Sequence, residues 1–324
     1  MAQALRSSTA SDAGPARLVE CVPNFSEGRR REVVDALVKV VASTPGALFL
    51  DRHMDADHNR CVLTFVGEPT PVAEAAFRLV ACASELIDLN QHRGEHPRMG
   101  AADVVPLVPL AGVTLEDCAE MARHLGQRVG DELGIPVFLY EAAASLPERA
   151  RLADVRRGGF EGLRERMGSD KAWHPDFGPT RIHPSAGATA LGARPLLVAF
   201  NVDLDTSDVR VARAVAKAVR ERDGGLKGVR ALGFAIDSGK RAQVSMNLVD
   251  VEAAPIPLVL GRVREEAARH STRVLGCEIV GLVPEAALRD ATGRTAEIEG
   301  VRPDQVLEHR LSQALALPSS EQLG

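Results

Sequence analysis

Aromatic side chains are scarce in this sequence: one Trp, one Tyr and nine Phe among 324 residues. With 45% of residues hydrophobic, the core must be filled chiefly by Val, Leu and Ala. Cysteine is equally sparse. The five (Cys21, Cys61, Cys82, Cys118, Cys277) are odd in number and show no CxxC spacing. That excludes a disulfide framework or a cysteine zinc cage and fits small core residues in a reducing compartment, so a cytoplasmic location is expected. Basic excess is absent too. The formal net charge of −5 argues against nucleic acid as a partner, because phosphate neutralisation needs a basic face. No apolar run reaches the length of a membrane span. Residues 1–16 lack the apolar region of a signal peptide and are expected to form a disordered tail.

What the chain does contain is concentrated in one stretch, His92-Arg93-Gly94-Glu95-His96-Pro97-Arg98-Met99-Gly100. Two histidines, a carboxylate and two arginines fall within nine positions broken by two glycines and a proline. Helix breakers at that density predict a loop, held between an apolar helix before it and the apolar strand Val104–Val108 after it. A short loop tethered at both ends presents polar groups in fixed positions, which is where chemistry is usually placed.

The pattern along the chain predicts an α+β fold. A strand at Arg17–Val22 is followed by a turn, then apolar positions Val33, Val34, Leu37, Val40 and Val41 at helical spacing. A hairpin of Ala47–Asp51 and Cys61–Val66 comes next, then a helix from Thr70 to Asp88 with Pro71 in its first turn, and the strand Val104–Val108. The order β-α-β-β-α-β is that of a ferredoxin-like unit. A helix (Leu115–Leu133) and a strand (Val137–Tyr140) are expected to extend its sheet. Residues 141–194 read instead as a long polar connection. From Leu196 the order repeats, with helices over Val209–Val219 and from about Pro257 to His270, and strands at Val229–Ile236, Ala242–Val249 and near Ile279. The expectation is two ferredoxin-like (βαββαβ) subdomains, 17–195 and 196–324, with sheets facing across a ligand cleft.

Three chemistries suit the central loop. His92-Arg93-Gly94-Glu95-His96 matches HxxEH, the inverted zinc-protease pattern, but Gly94 and Pro97 oppose the continuous helix which that site needs. A cysteine nucleophile is opposed by the apolar setting of every Cys, and no GxSxG elbow supports a serine one. His96 as a metal-free general acid-base remains, oriented by Glu95, Asp103 or the turn from His53 to Asp57.

Several blocks together carry a resemblance: Glu20-Cys21-Val22-Pro23-Asn24-Phe25-Ser26-Glu27-Gly28, Asn59-Arg60, Gly94 to Gly100, and Pro175-Asp176-Phe177-Gly178-Pro179. Gly187-Ala188-Thr189, Gly192-Ala193-Arg194, Ala242-Gln243-Val244-Ser245 and Glu278 to Pro284 continue it in collinear order. On these blocks the chain resembles the glutamate formiminotransferases, also found as the amino-terminal part of formiminotransferase–cyclodeaminase. The resemblance implies transfer of the formimino group from N-formimino-L-glutamate to tetrahydrofolate, giving 5-formiminotetrahydrofolate and L-glutamate, in histidine breakdown. It implies tetrahydrofolate as co-substrate without a metal, a homodimer, and a separate cyclodeaminase to take the product.

The family's catalytic histidine falls on His96 and its folate-binding stretch on Gly178, Pro179, Thr180, Arg181, Ile182, His183, Pro184, Ser185, Ala186 and Gly187. The glycines of that stretch are expected to let backbone approach a flat pteridine. Arg60, Arg98 and Arg194, in the matching blocks, are the candidates for the substrates' carboxylates, each with a structural ion pair as its other role. Some relatives carry Trp where this chain has Ala186, so an Ala186→Trp change is expected to be tolerated. Two other readings stand beside this one: a non-catalytic folate-binding protein of the same fold, and a related one-carbon or formyl transferase.

Overall fold

The computed structural model describes residues 17–316; the tail expected at 1–16 and the last eight residues lie outside them. The described residues divide into two compact units, 17–195 and 196–316.

The first unit opens with β1 (Leu18–Cys21), interrupted at Val22-Pro23 and resumed as β2 (Asn24–Phe25). Helix α1 (Arg31–Ala42), the hairpin β3 (Ala47–Asp55) and β4 (Arg60–Gly67), helix α2 (Pro69–Leu86) and β5 (Ala102–Ala111) follow. With β1 and β2 taken as one strand, β3, β4, β1/β2 and β5 lie side by side as second, third, first and fourth, the split β-α-β order anticipated from the pattern. Helix α3 (Leu115–Leu133) starts on a reciprocal cap: Thr114 accepts from the Asp117 N–H, and the Asp117 carboxylate accepts from that of Thr114. It stops at Gly134 in the left-handed region, and its Cys118, Ala122, Leu125 and Val129 face the sheet.

The expected polar connection after β6 (Val137–Glu141) hides structure. It holds two short helices, α4 (Leu152–Val155) and α5 (Gly159–Arg166), and a strand, β7 (Thr189–Ala193). β7 lies between β5 and β6, parallel to both, so β6 extends the sheet as expected, at its edge and by way of β7. The sequence Thr-Ala-Leu-Gly-Ala is weak in β-branched residues. Its strand character comes from burial on both faces, all five residues being buried. Leu191 and Ala193 pack on the side of α1, α2 and α3, while Ala188 and Ala190 pack with Phe138, Tyr140, Val155 and Leu163 under the 142–183 segment.

The helices cover one face of the first sheet, where Cys21, Phe25, Cys61, Leu63 and Phe65 are buried. Register puts Glu20, Asn24, Asp51, His53, Arg60 and Thr64 on the opposite face.

In the second unit β8 (Val198–Leu204), α6 (Val209–Val219), β9 (Val229–Ile236), β10 (Arg241–Leu248), α7 (Ile256–Arg269) and β11 (Val274–Val280) follow in order. The sheet runs β11-β8-β10-β9 with every pairing antiparallel, the ferredoxin-like arrangement. Val198, Phe200 and Val202 of β8 and Val244 and Met246 of β10 face α6 and α7. The segment after β11 returns to this core through Ala287, Leu288 and Ile298 and ends in α8 (Leu307–Ala316). No helix among the described residues is long and apolar enough to cross a membrane.

Candidate active site

The central loop is extended and turned rather than helical, and it is tied down on three sides. On the hairpin side, Asn59 sits in the left-handed region at φ 46°. Its side chain accepts from the Gly28 N–H at 2.9 Å and donates to the Arg93 carbonyl at 3.0 Å. Gly94 is required here, since a Cβ would lie 2.2 Å from the His58 carbonyl oxygen. On the second side, Ala101 N–H donates to the Ala186 carbonyl at 2.8 Å and Ala188 N–H to that of Met99 at 2.9 Å. On the third, Phe160 N–H donates to the Arg98 carbonyl at 2.9 Å.

His92 and His96 diverge in role. His92 is buried; its Nε2 lies 2.8 Å from the Asn59 carbonyl and its Nδ1 accepts from Arg98 Nε at 3.0 Å. Both of its nitrogens are therefore taken, and the HxxEH match has no helical face on which to pair it with His96. His96 Nδ1 lies 2.8 Å from the Pro97 carbonyl oxygen. A carbonyl only accepts, so Nδ1 carries the proton and Nε2 keeps its lone pair. Desolvation, then the fields of Arg60 and Arg156, hold this imidazole well below its ordinary range, with Asp103 offsetting part of the effect. The His58 ring lies edge-on to it, with centroids 5.7 Å apart.

Beside His96 stands an ionic cluster. Asp103 is fully buried: its Oδ1 accepts from Met99 N–H at 2.7 Å and its Oδ2 from Arg60 Nη1 at 2.7 Å and from Arg156 Nη2. Burial alone would raise the Asp103 carboxyl, but the Arg156 and Arg60 charges and the Met99 N–H outweigh it and hold it well below the usual carboxylate range. Desolvation brings Arg60 down to about 10. Two guanidinium groups on one carboxylate leave a net positive charge, and a buried charged donor left unpaired costs about 1–3 kcal/mol or more. Arg156 has such a donor: its Nε is buried with no hydrogen-bond partner.

The three arginines named from sequence differ. Arg60 joins the cluster and also donates to Asn24 Oδ1 at 2.9 and 3.2 Å. Arg98 is committed to Glu161 by a fork at 2.8 and 2.9 Å and to His92, so a substrate carboxylate there would have to displace Glu161. The side chain of Arg194, just after β7, donates among the described residues to the Pro195 carbonyl alone, at 3.1 Å. Arg156 was not singled out from sequence; the signal was the Arg156-Arg157-Gly158-Gly159 run inside what read as a connection.

The 178–187 segment divides in two. Gly178, Pro179, Thr180, Arg181 and Pro184 are exposed, and Ile182, His183 and Ser185 half-buried. Ala186 and Gly187 close a turn in which His183 and Gly187 exchange both backbone hydrogen bonds and His183 Nδ1 accepts from Ala186 N–H. Both glycines of the segment pack closely against the protein's own backbone. At Gly178 (φ 81°) a Cβ would lie 2.8 Å from the Ile135 carbonyl, and at Gly187 (φ 74°) 2.2 Å from that of Met99. Ala186 is only 2% exposed and belongs to the main core, so a Trp there has to overpack that core, against the tolerance expected from sequence. The cysteines are not poised as nucleophiles: burial pushes Cys61 up to about 12 and Cys118 up to about 11.

The formiminotransferase N-terminal subdomain model matches residues 18–194 and the formiminotransferase domain model residues 199–300. Glutamate formimidoyltransferase of Streptococcus pyogenes serotype M1 is 46% identical over 297 residues, 91% of this chain and 99% of the relative. That of Thermoplasma acidophilum is 46% identical over 299 residues, 92% of this chain and 98% of the relative. The mouse (Mus musculus) formimidoyltransferase-cyclodeaminase is 44% identical over 281 residues, 85% of this chain but only 52% of the relative, so the chain spans about half of that protein. This chain belongs to the formiminotransferase family.

Proposed function

We propose that the chain transfers the formimino group from N-formimino-L-glutamate to N5 of tetrahydrofolate, as a step in histidine degradation, with His96 as the proton carrier. N5 attacks the formimino carbon and loses its proton to His96 Nε2. The tetrahedral adduct then expels the glutamate nitrogen, which takes that proton, leaving 5-formiminotetrahydrofolate, L-glutamate and the neutral imidazole. The observation that carries the reading is the His96 tautomer: Nδ1–H is committed to the Pro97 carbonyl, so Nε2 is the basic atom, beside a cluster with net positive charge. Family membership supports the substrates.

On this reading residues 17–195 and 196–324 are the two formiminotransferase subdomains, and the folate lies along 178–187, with Thr180 and Arg181 as the exposed side chains that meet it. Arg60 and Arg194 take carboxylates, and Arg98 takes one in exchange for Glu161. The step needs no metal. The enzyme is cytoplasmic and homodimeric, and a separate cyclodeaminase consumes its product. Loss of formiminoglutamate, followed with and without tetrahydrofolate, tests the reading; consumption that does not depend on the folate overturns it.

A further inference from the structure

Arg156 reaches Asp103 through a local device. Val155 anchors the end of α4 in the core with Phe138, Tyr140 and Leu163, and Gly158 and Gly159 (φ 87° and 61°) turn the chain back at once. The turn docks on the central loop through Phe160 N–H and the Arg98 carbonyl. Among the described residues the Arg156 side chain makes one hydrogen bond, from Nη2 to Asp103, while Arg60 spends Nε, Nη1 and Nη2 on Asn24 and Asp103. Nε of Arg156 is buried and unpartnered, and Nη1 makes no hydrogen bond, on a side chain 14% exposed. A guanidinium held on one side and left with donors on the other is prepared for an anion.

We propose that Arg156 binds the α-carboxylate of the formimino donor, with Asp103 as the residue that positions it; this rests on the reaction proposed above. The choice of carboxylate follows from covalent structure. In N-formiminoglutamate the α-carboxylate is one carbon from the nitrogen that must be protonated. Arg156 shares Asp103 with the Met99 N–H of the His96 loop, and its turn docks on that loop at the Arg98 carbonyl, so its donors stand by the loop that carries the proton. The glutamyl carboxylates of folate are separated from N5 by a methylene and the whole p-aminobenzoyl group. The γ-carboxylate is left for another arginine.

The test pairs Arg156→Met and Arg156→Lys with two donors, N-formiminoglutamate and its decarboxylated counterpart 4-formiminoaminobutanoate. Wild type is expected to prefer N-formiminoglutamate by 10²-fold or more in kcat/KM. Arg156→Met loses most of that preference through a raised KM for this donor, with the KM for tetrahydrofolate unchanged. Arg156→Lys keeps the charge on Asp103 and recovers part of the preference, which a merely structural arginine would not give. If Arg156→Met lowers both donors by the same factor, or if Arg156→Lys behaves as wild type towards both, the assignment is overturned while the reaction stands. A wild type that leaves N-formiminoglutamate untouched in the presence of tetrahydrofolate overturns the reaction and the assignment together.

Discussion

His96 Nδ1 lies 2.8 Å from the carbonyl oxygen of Pro97, the next residue in the chain. A contact so local fixes the ring without help from a carboxylate, and it leaves Nε2 as the atom for proton transfer. Replacing His96 by Asn removes that atom and alters no buried network. We expect near wild-type folding and folate binding, with kcat lower by about 10²- to 10⁴-fold. Turnover of His96→Asn at close to the wild-type rate would remove His96 from the mechanism.

The pH profile carries a sign. His96 must be unprotonated to act as base, and its pKa is depressed by desolvation and by Arg60 and Arg156. The acid limb of kcat/KM should therefore lie below the ordinary imidazole value of about 6.5. An acid limb above that value would show that another group titrates there.

Asp103 is the counter-ion for both guanidinium groups, which are only 11% and 14% exposed. Asp103→Asn leaves two buried cations on a neutral amide, and breaking a buried pair in this way typically costs about 3–5 kcal/mol. Because the folded pKa of Asp103 is lowered, its contribution is complete above the unfolded value of about 3.9 and is lost as pH falls through the folded value. Thermal melting of Asp103→Asn across pH checks both statements. A melt unchanged near neutrality would mean that the cluster is solvated.

The chain's pattern disclosed the repeated βαββαβ order because its apolar periods are long. Helices α3 and α6 fall where the spacing puts them, at Leu115–Leu133 and Val209–Val219. β7 was hidden because a strand buried on both sides needs only small residues, and Thr189–Ala193 shows no alternation. The loop around His96 was visible from its mixture of breakers and ionisable groups. Arg156 was not, because Asp103 and Arg156 meet across 53 positions, and nothing local marks which of many arginines will do so.

Chelation gives a further check. His92 Nε2 and Nδ1 are occupied by Asn59 and Arg98, and His96 Nδ1 by Pro97. Activity should survive exhaustive treatment with EDTA; loss with EDTA and recovery with zinc would restore the metal reading of the HxxEH match.

The 178–187 segment separates packing from binding. At Gly187 the backbone is left-handed, and a Cβ would meet the Met99 carbonyl at 2.2 Å, with Leu89 Cδ1 at 2.7 Å. Gly187→Ala therefore loses about 1–2 kcal/mol from the backbone alone, and the overlap adds to that. Ala186→Trp has to insert an indole into the core between the central loop and β7, and overpacking of this kind costs about 1–3 kcal/mol or more. Both variants should melt earlier than wild type whether or not folate is present. Thr180→Ala and Arg181→Ala alter exposed side chains and should leave stability within about 0.5 kcal/mol. If folate runs along this segment, the same two variants raise the KM for tetrahydrofolate. Unchanged folate kinetics in both, with the melts as expected, would make 178–187 a brace for the His96 loop and send the folate elsewhere.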